Sequence, residues 1–285
     1  MTIARLLQKK PVFSFEFFPP KTPSDAKALR SAISELRPLK PGFVSVTQSP
    51  DGVASLRTAA LSGVIKSRFG LETMAHLTCI SHSRRQIDVI AGHLKNMGIK
   101  NVLALRGDKP ENFRSSSDFA HADELVRHLA VLGGFCIGVA GYPEKHPEAA
   151  SLAEDVANLK RKIDSGAQFI ITQLFFENSH YFRFVEKCRK AGISVPIIPG
   201  IMPVARFGQL KRIAELCGAK IPSVFERGLF ARKSDAEAVA AYGTDYALNQ
   251  CRELLSKGAP GIHFYTFNKS KSARQILRAL KSDLS

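Results

Sequence analysis

The sequence predicts an α/β protein, a (β/α)8 TIM barrel formed as a single domain over residues 1–285, with extra helices before the last strand. Three observations carry this. Eight short apolar runs alternate with longer amphipathic stretches along one chain of 285 residues, and eight such units in that length match a closed barrel. The runs are apolar almost throughout, which suits strands buried on both faces of a parallel sheet with helices outside. No glycine-rich phosphate turn follows an early run, as the rival open, doubly wound sheet would usually show.

Taken in order, the strands are expected at 12–17, 43–47, 72–78, 101–105, 135–141, 168–173, 195–199 and 261–265. The first, "VFSFEF", is aromatic-rich and stops at Pro19 and Pro20. Between the strands lie helix-length amphipathic stretches at 24–36, 84–97, 123–131, 149–165, 181–191 and 206–217. The stretch 221–257 is longer than one crossover needs and holds one or two further helices. A last helix follows the final strand. No Pro-, Ser- or Gly-rich linker and no low-complexity tract divides the chain, so one domain is expected.

Composition narrows the function. With 45% hydrophobic residues the chain can bury a full core. Mean hydropathy is near zero and no run reaches about 18 apolar residues, so no membrane span is expected. The N-terminal "MTIARLLQKKPVFSF" lacks a signal-peptide pattern, which favours the cytoplasm. Cys79, Cys136, Cys188, Cys217 and Cys251 are widely spaced without a CxxC, as reduced, mostly buried thiols are; no metal site is expected. The net charge of +16 fits nucleic acid, a solvated basic surface or an anionic small ligand. The basic residues are spread along the chain with no arm or block, which argues against nucleic acid; charge alone does not separate the other two.

Chemistry in a parallel barrel gathers where strands end. The strand ends read "FEFFPP", "SVTQSPDG", "AHLTC", "LRGDKP", "AGYPEKHPEA", "ITQLFF", "IPGIMP" and "HFYTFN". Polar residues stand where each apolar run stops: Glu16, Thr47, His76, Arg106, Asp108, Tyr142, His146 and Gln173. Each alone has a plain structural reading, Glu16 as a salt-bridged acid, Thr47 as a strand former, His76 as a core histidine. Their convergence on one rim is the signal. An acid among phenylalanines is costly to bury unless something pairs with it or uses it.

Together the strings "FSFEFFPPKT", "FVSVT", "HLTC", "ALRGD", "YPEKHPEA", "NLKRKIDSGAQFIITQ", "IIPGIMPV" and "HFYTFN" resemble the methylenetetrahydrofolate reductase family, in its compact bacterial form, from about residue 11 to 269. The resemblance implies FAD at the rim, NADH or NADPH as hydride donor, and ping-pong reduction of 5,10-methylenetetrahydrofolate to 5-methyltetrahydrofolate. It implies Glu16 as the acid that protonates a folate nitrogen, for which an apolar setting is suitable, and Asp108 beside the flavin ring. For FAD the matching positions are Thr47, His76, Arg106, Gly107, Asp108, Tyr142, His146, Asp155, Asn158, Arg161 and Lys162. Asp155, Asn158 and Lys162 fall on one helical face by their spacing, and Arg161 with Lys162 suits a pyrophosphate. Gln173, Gln209 and Lys269 match substrate contacts. No nucleic-acid or membrane partner is implied, and a homo-oligomer is expected.

The chain departs from the family's pattern at three places. "TQSPDG" stands after the second strand, with Gln48 and Pro50 where an aromatic and a Gly-rich loop are usual. Ile213 takes a place that often holds a large aromatic. "FNK" replaces "LNR", so Lys269 stands for an arginine and loses the bidentate fork. Part of the excess charge, at Lys269, Lys271 and Arg274, is expected to attract the folate's glutamate tail. Another folate or one-carbon enzyme on the same barrel, and a non-catalytic nucleic-acid binder, remain the alternatives.

Overall fold

The structure is a computed structural model that describes residues 1–8, 11–48, 54–108 and 117–283. A one-turn helix α1 (Ile3–Leu6) precedes a regular alternation: β1 (Val12–Phe17), α2 (Pro23–Leu36), β2 (Phe43–Val46), α3 (Ala54–Phe69), β3 (Thr73–Thr78), α4 (Arg84–Asn96), β4 (Asn101–Leu105), α5 (Ala122–Leu132), β5 (Cys136–Gly141), α6 (Leu152–Asp164), β6 (Phe169–Thr172) and α7 (Asn178–Lys190). Then come β7 (Ile197–Ile198), β8 (Gly200–Ile201), α8 (Phe207–Cys217), α9 (Ser223–Phe230), α10 (Ala236–Ser256), β9 (Gly261–Tyr265) and α11 (Lys271–Asp283).

Every strand pair is parallel, in the order β7-β6-β5-β4-β3-β2-β1-β9-β8. The expected strand 195–199 is two short ladders on either side of Pro199. Proline has no N–H to donate, so the ladder breaks there. Its carbonyl still accepts from the His263 amide at 3.0 Å. β7 bonds to β6 and β8 to β9, so the segment 197–201 spans the last gap and the sheet curls into a barrel.

The strands are less uniformly apolar than expected, and the pattern explains the site. Side chains alternate along a strand. Phe13, Phe15 and Phe17 pack outward beneath the helices, in the main core. Val12 points inward, into a layer with Phe43, Met74, Leu103 and Phe169 at the N-terminal end of the barrel. Ile3 and Leu7 close that end, and the Ile3 amide donates to Asn101 Oδ1 at 2.8 Å. Two residues on, the inward positions turn polar, Ser14 and Ser45; two further, they are Glu16 and Thr47. The same step runs from Met74 to His76 and from Phe169 through Ile171 to Gln173. Polarity thus rises toward the C-terminal end of the barrel.

Several helix ends differ from expectation for local reasons. The helix expected from 149 starts at Leu152, because the Ser151 hydroxyl caps it by accepting from the Glu154 amide at 3.1 Å. The one expected from 181 starts at Asn178, whose amide side chain donates to Glu253 and to the Gln250 carbonyl on α10. α3 was not expected as a clear helix; its apolar residues do not collect on one stripe. α9 and α10 are the expected extra helices, and they share a separate apolar cluster with α8. All five cysteines are free thiols, Cys217 half-buried and the others buried. Among the described residues no helix is long and apolar enough to cross a membrane.

Candidate active site

A cavity of about 600 Å³ opens at the C-terminal ends of the strands. Its lining brings together Glu16, Thr47, His76, Arg106, Gly107, Asp108, Tyr142, His146, Asp155, Asn158, Arg161, Lys162 and Gln173, which lie far apart in the sequence. Gln209, in the first turn of α8, and Lys269, after β9, stand outside that lining and are exposed. Arg274 is held by Glu35 at 3.2 Å, so it is not a free cation for a ligand tail. Pro50 and the rest of residues 49–53 lie outside the described residues.

Glu16 is only 6% exposed. Its Oε2 lies 3.5 Å from His76 Nε2 and 3.7 Å from His263 Nε2. Burial lowers the His76 pKa to about 4, outweighing the attraction of Glu16, so that imidazole is neutral. The contact is therefore not an ion pair, and His76 Nε2 has no hydrogen-bond partner. A buried polar atom left open beside a cavity is a place for a ligand atom.

Another part of the lining is built by α6 and the loop after β5. Asp155 is buried and accepts from the His146 amide at 2.9 Å; burial still raises its pKa. Tyr142 and His146 meet edge to face at 4.6 Å. Arg161 donates to Asn158 Oδ1 three residues earlier. Burial lowers the Lys162 pKa, and among the described residues no carboxylate lies within ion-pair distance of its ammonium. Arg106 grips Glu148 with both terminal nitrogens at 2.6 Å, which raises its own pKa further. Gly107 adopts φ +91°, and a Cβ there would lie 3.0 Å from Ile80 and 3.1 Å from Thr78. Glycine is what lets Arg106 and Asp108 both reach the rim.

With this geometry in place, the family model described as methylenetetrahydrofolate reductase matches residues 2–281. A 5,10-methylenetetrahydrofolate reductase of Salmonella typhimurium is 42% identical over 267 residues, covering 94% of this chain and 90% of that protein. The chain belongs to the methylenetetrahydrofolate reductase family. An Arabidopsis thaliana relative named methylenetetrahydrofolate reductase (NADH) 1 is 39% identical over 288 residues, covering 96% of this chain and 49% of that protein. Among solved structures, a Clostridium thermocellum protein that binds two copies of 5-methyl-5,6,7,8-tetrahydrofolic acid superposes with a TM-score of 0.64 at 13% identity, covering 98% of this chain and 96% of that one. That likeness shows the fold.

For a methylenetetrahydrofolate reductase, this chain's departures now have positions. Gln48 lines the cavity with its amide fully engaged: Nε2 donates to Ser55 Oγ and Thr78 Oγ1, both at 2.7 Å, and Oε1 accepts from the Thr78 amide at 3.1 Å. It ties the ends of β2 and β3 together. Ile213 lies in the lining on α8. Sequence reasoning missed Tyr265 and the Phe18–Phe267 pair, all in the lining. Counting alternate residues along β9 would have turned Tyr265 inward with His263. Phe18 and Phe267 stack at 5.3 Å and 13°, with Phe267 37% exposed.

Phe267 and Asn268 both hold positive φ, 49° and 58°, a conformation costly for residues other than glycine and asparagine. The Asn268 side chain secures the turn. Its Oδ1 accepts from the Phe18 amide at 2.9 Å and its Nδ2 donates to the Phe18 carbonyl at 3.0 Å. Asn268→Gly keeps the backbone ease and loses only this clamp. It is expected to cost about 1–3 kcal/mol, read as a fall of several degrees in thermal midpoint. An unchanged midpoint would show that the clamp contributes nothing.

Proposed function

We propose that the chain reduces 5,10-methylenetetrahydrofolate to 5-methyltetrahydrofolate, with the hydride drawn from NADH or NADPH through bound FAD in a ping-pong sequence. The observation that carries this reading is the buried carboxyl of Glu16 in the same cavity as the Arg161–Lys162 cation pair.

The residues present fit FAD on three counts. Lys162 is a half-buried ammonium with no ion-pair partner among the described residues, as a phosphate would want. His76 Nε2 is buried and open. Gly107 holds φ +91° where a Cβ would press on Ile80 and Thr78, so the turn that carries Arg106 and Asp108 to the rim is built for glycine. Arg161 and Lys162 would hold the pyrophosphate, with Asp155 and Asn158 on the same helix face. Tyr142 and His146 offer a stacking surface. Thr47, His76, Arg106, Gly107 and Asp108 would surround the ring. FAD, when bound, supplies a two-electron store that takes hydride from the nicotinamide and returns it to the folate carbon.

The chain's own work is to bind and to place a proton. Glu16 gives its proton to a nitrogen of the folate's bridging ring, which opens the bridge and leaves a carbon able to accept hydride. Asp108 places a negative charge beside the cationic form so produced. Gln173 serves nicotinamide and folate in turn, since the same place receives both. Gln209 and Lys269 meet the outer part of the folate, where the charge of nearby Arg206 adds to that of Lys269. A cytoplasmic location and a homo-oligomeric assembly are part of this reading. The test is a product assay: FAD-loaded protein, NADH or NADPH, and 5,10-methylenetetrahydrofolate should yield 5-methyltetrahydrofolate by mass. No methyl product with either nucleotide would overturn it.

A further inference from the structure

We propose that His263, which stands outside the cavity lining, is the positioning residue for Glu16: it orients the carboxyl toward the ligand and stabilises the anion left when the proton departs. This rests on Glu16 being the acid of the folate step.

His263 is 1% exposed, on β9. Its cross-strand partner in the β1–β9 register is Ser14, two residues before Glu16 on the same inward face. Ser14 Oγ lies 2.7 Å from His263 Nδ1. Nε2 lies 3.4 Å from Ser45 Oγ and 3.7 Å from Glu16 Oε2. The ring is fixed by a stack on Phe43 at 5.9 Å and an edge contact with Tyr265 at 5.4 Å. A serine hydroxyl that donates to Nδ1 leaves the ring proton on Nε2, the nitrogen facing Glu16. With the Ser14 hydroxyl as the donor, the tautomer that the proposal requires carries its N–H on the edge shared by Ser45 Oγ at 3.4 Å and Glu16 Oε2 at 3.7 Å.

The other titratable groups that interact with Glu16 do not carry compensating charge. They are His76 on β3, Tyr265 on β9 and Cys217 on α8. His76 is neutral. Burial keeps the Tyr265 phenol protonated and pushes the Cys217 thiol to about 11. Asp108, which also acts on Cys217, adds negative charge. After Glu16 gives up its proton, the new carboxylate therefore faces no cation among these groups. Two ring nitrogens are then within reach of the carboxylate, His76 Nε2 at 3.5 Å and His263 Nε2 at 3.7 Å. His263 is assigned the role because a hydroxyl at 2.7 Å engages its other nitrogen, and a small rotation of the Glu16 side chain would close the remaining distance. In balance, one proton passes from the Glu16 carboxyl to a folate nitrogen, and His263 keeps its own.

Three variants test this: His263→Phe, His263→Gln and Ser14→Ala, each FAD-loaded and followed in separate half-reactions across pH. His263→Phe should slow hydride transfer to folate about 10–100-fold, the worth of a hydrogen bond to a charged group. It should leave reduction by the nicotinamide unchanged. Losing a donor to the anion favours the protonated carboxyl, so the fall of the folate rate with rising pH should begin at higher pH. His263→Gln restores a side-chain N–H and should recover most of the rate and the wild-type limb. Ser14→Ala should fall between. Independently of turnover, long-range ¹H–¹⁵N spectra of the folded protein should show the His263 proton on Nε2. A proton on Nδ1 with Nε2 bare, or His263→Phe with wild-type folate rate and pH limb, overturns the inference. Glu16→Gln is the control. If it impairs both half-reactions equally, the acid assignment has failed; if it is selective while His263→Phe is silent, only the role of His263 has.

Discussion

Glu16→Gln is expected to slow hydride transfer to folate by about 10²–10⁴-fold, the usual contribution of a general acid, while the protein still binds FAD and is still reduced by NAD(P)H at the wild-type rate. The division follows from the chemistry of the two halves. Taking hydride from a nicotinamide needs no proton on the donor. Opening the folate's methylene bridge needs one on nitrogen. Glutamine fills the space of Glu16 and cannot give that proton. The surroundings tolerate the change, because His76 Nε2 at 3.5 Å is not hydrogen-bonded to the carboxylate. Stopped-flow traces of each half-reaction check this. Equal losses in both would give Glu16 a structural or binding role instead.

Arg161→Ala combined with Lys162→Ala is expected to yield protein that loses its flavin on gel filtration at micromolar concentration. Each charge-assisted hydrogen bond to a phosphate is worth about 1.5–3 kcal/mol, so the pair accounts for roughly 10²–10⁴ in affinity. Lys162 should dominate. It is half-buried and already pays for desolvation, which lowers its pKa, whereas Arg161 is exposed and its interactions are screened. The single variants should therefore rank with Lys162→Ala the more severe. Full flavin content in the double variant would place both residues on a merely solvated helix face. The fold should survive either way, since neither side chain belongs to the buried core.

Much of this was legible in the sequence because it depends on short-range pattern. Apolar runs ending in Pro, Gly or a charged residue marked the strands, and their number marked the barrel. That the polar residues at strand ends share one rim followed from the architecture alone. What was not legible needed register or side-chain partners. Pro199 splitting a strand while its carbonyl keeps the ladder to His263 depends on which strand lies alongside. His263 reads as one more residue in "GIHFY" until β9 is placed beside β1 with Ser14 opposite. Gln48 reads as a departure until its amide is seen to join β2 to β3. The pairing of Arg106 with Glu148 spans 42 residues and has no local signature. The motif strings placed Gln209 and Lys269 near the site, but no local pattern says whether a side chain lines a cavity or stands outside it.

The central claim is that this cavity holds a flavin that takes hydride from a nicotinamide and gives it to folate. The visible absorbance spectrum of the purified protein under anaerobic conditions tests it most directly. The account predicts a flavin spectrum that bleaches on adding NADH or NADPH and returns on adding 5,10-methylenetetrahydrofolate. A protein reconstituted with FAD that shows no flavin band, or a bleached band that the folate does not restore, would contradict it.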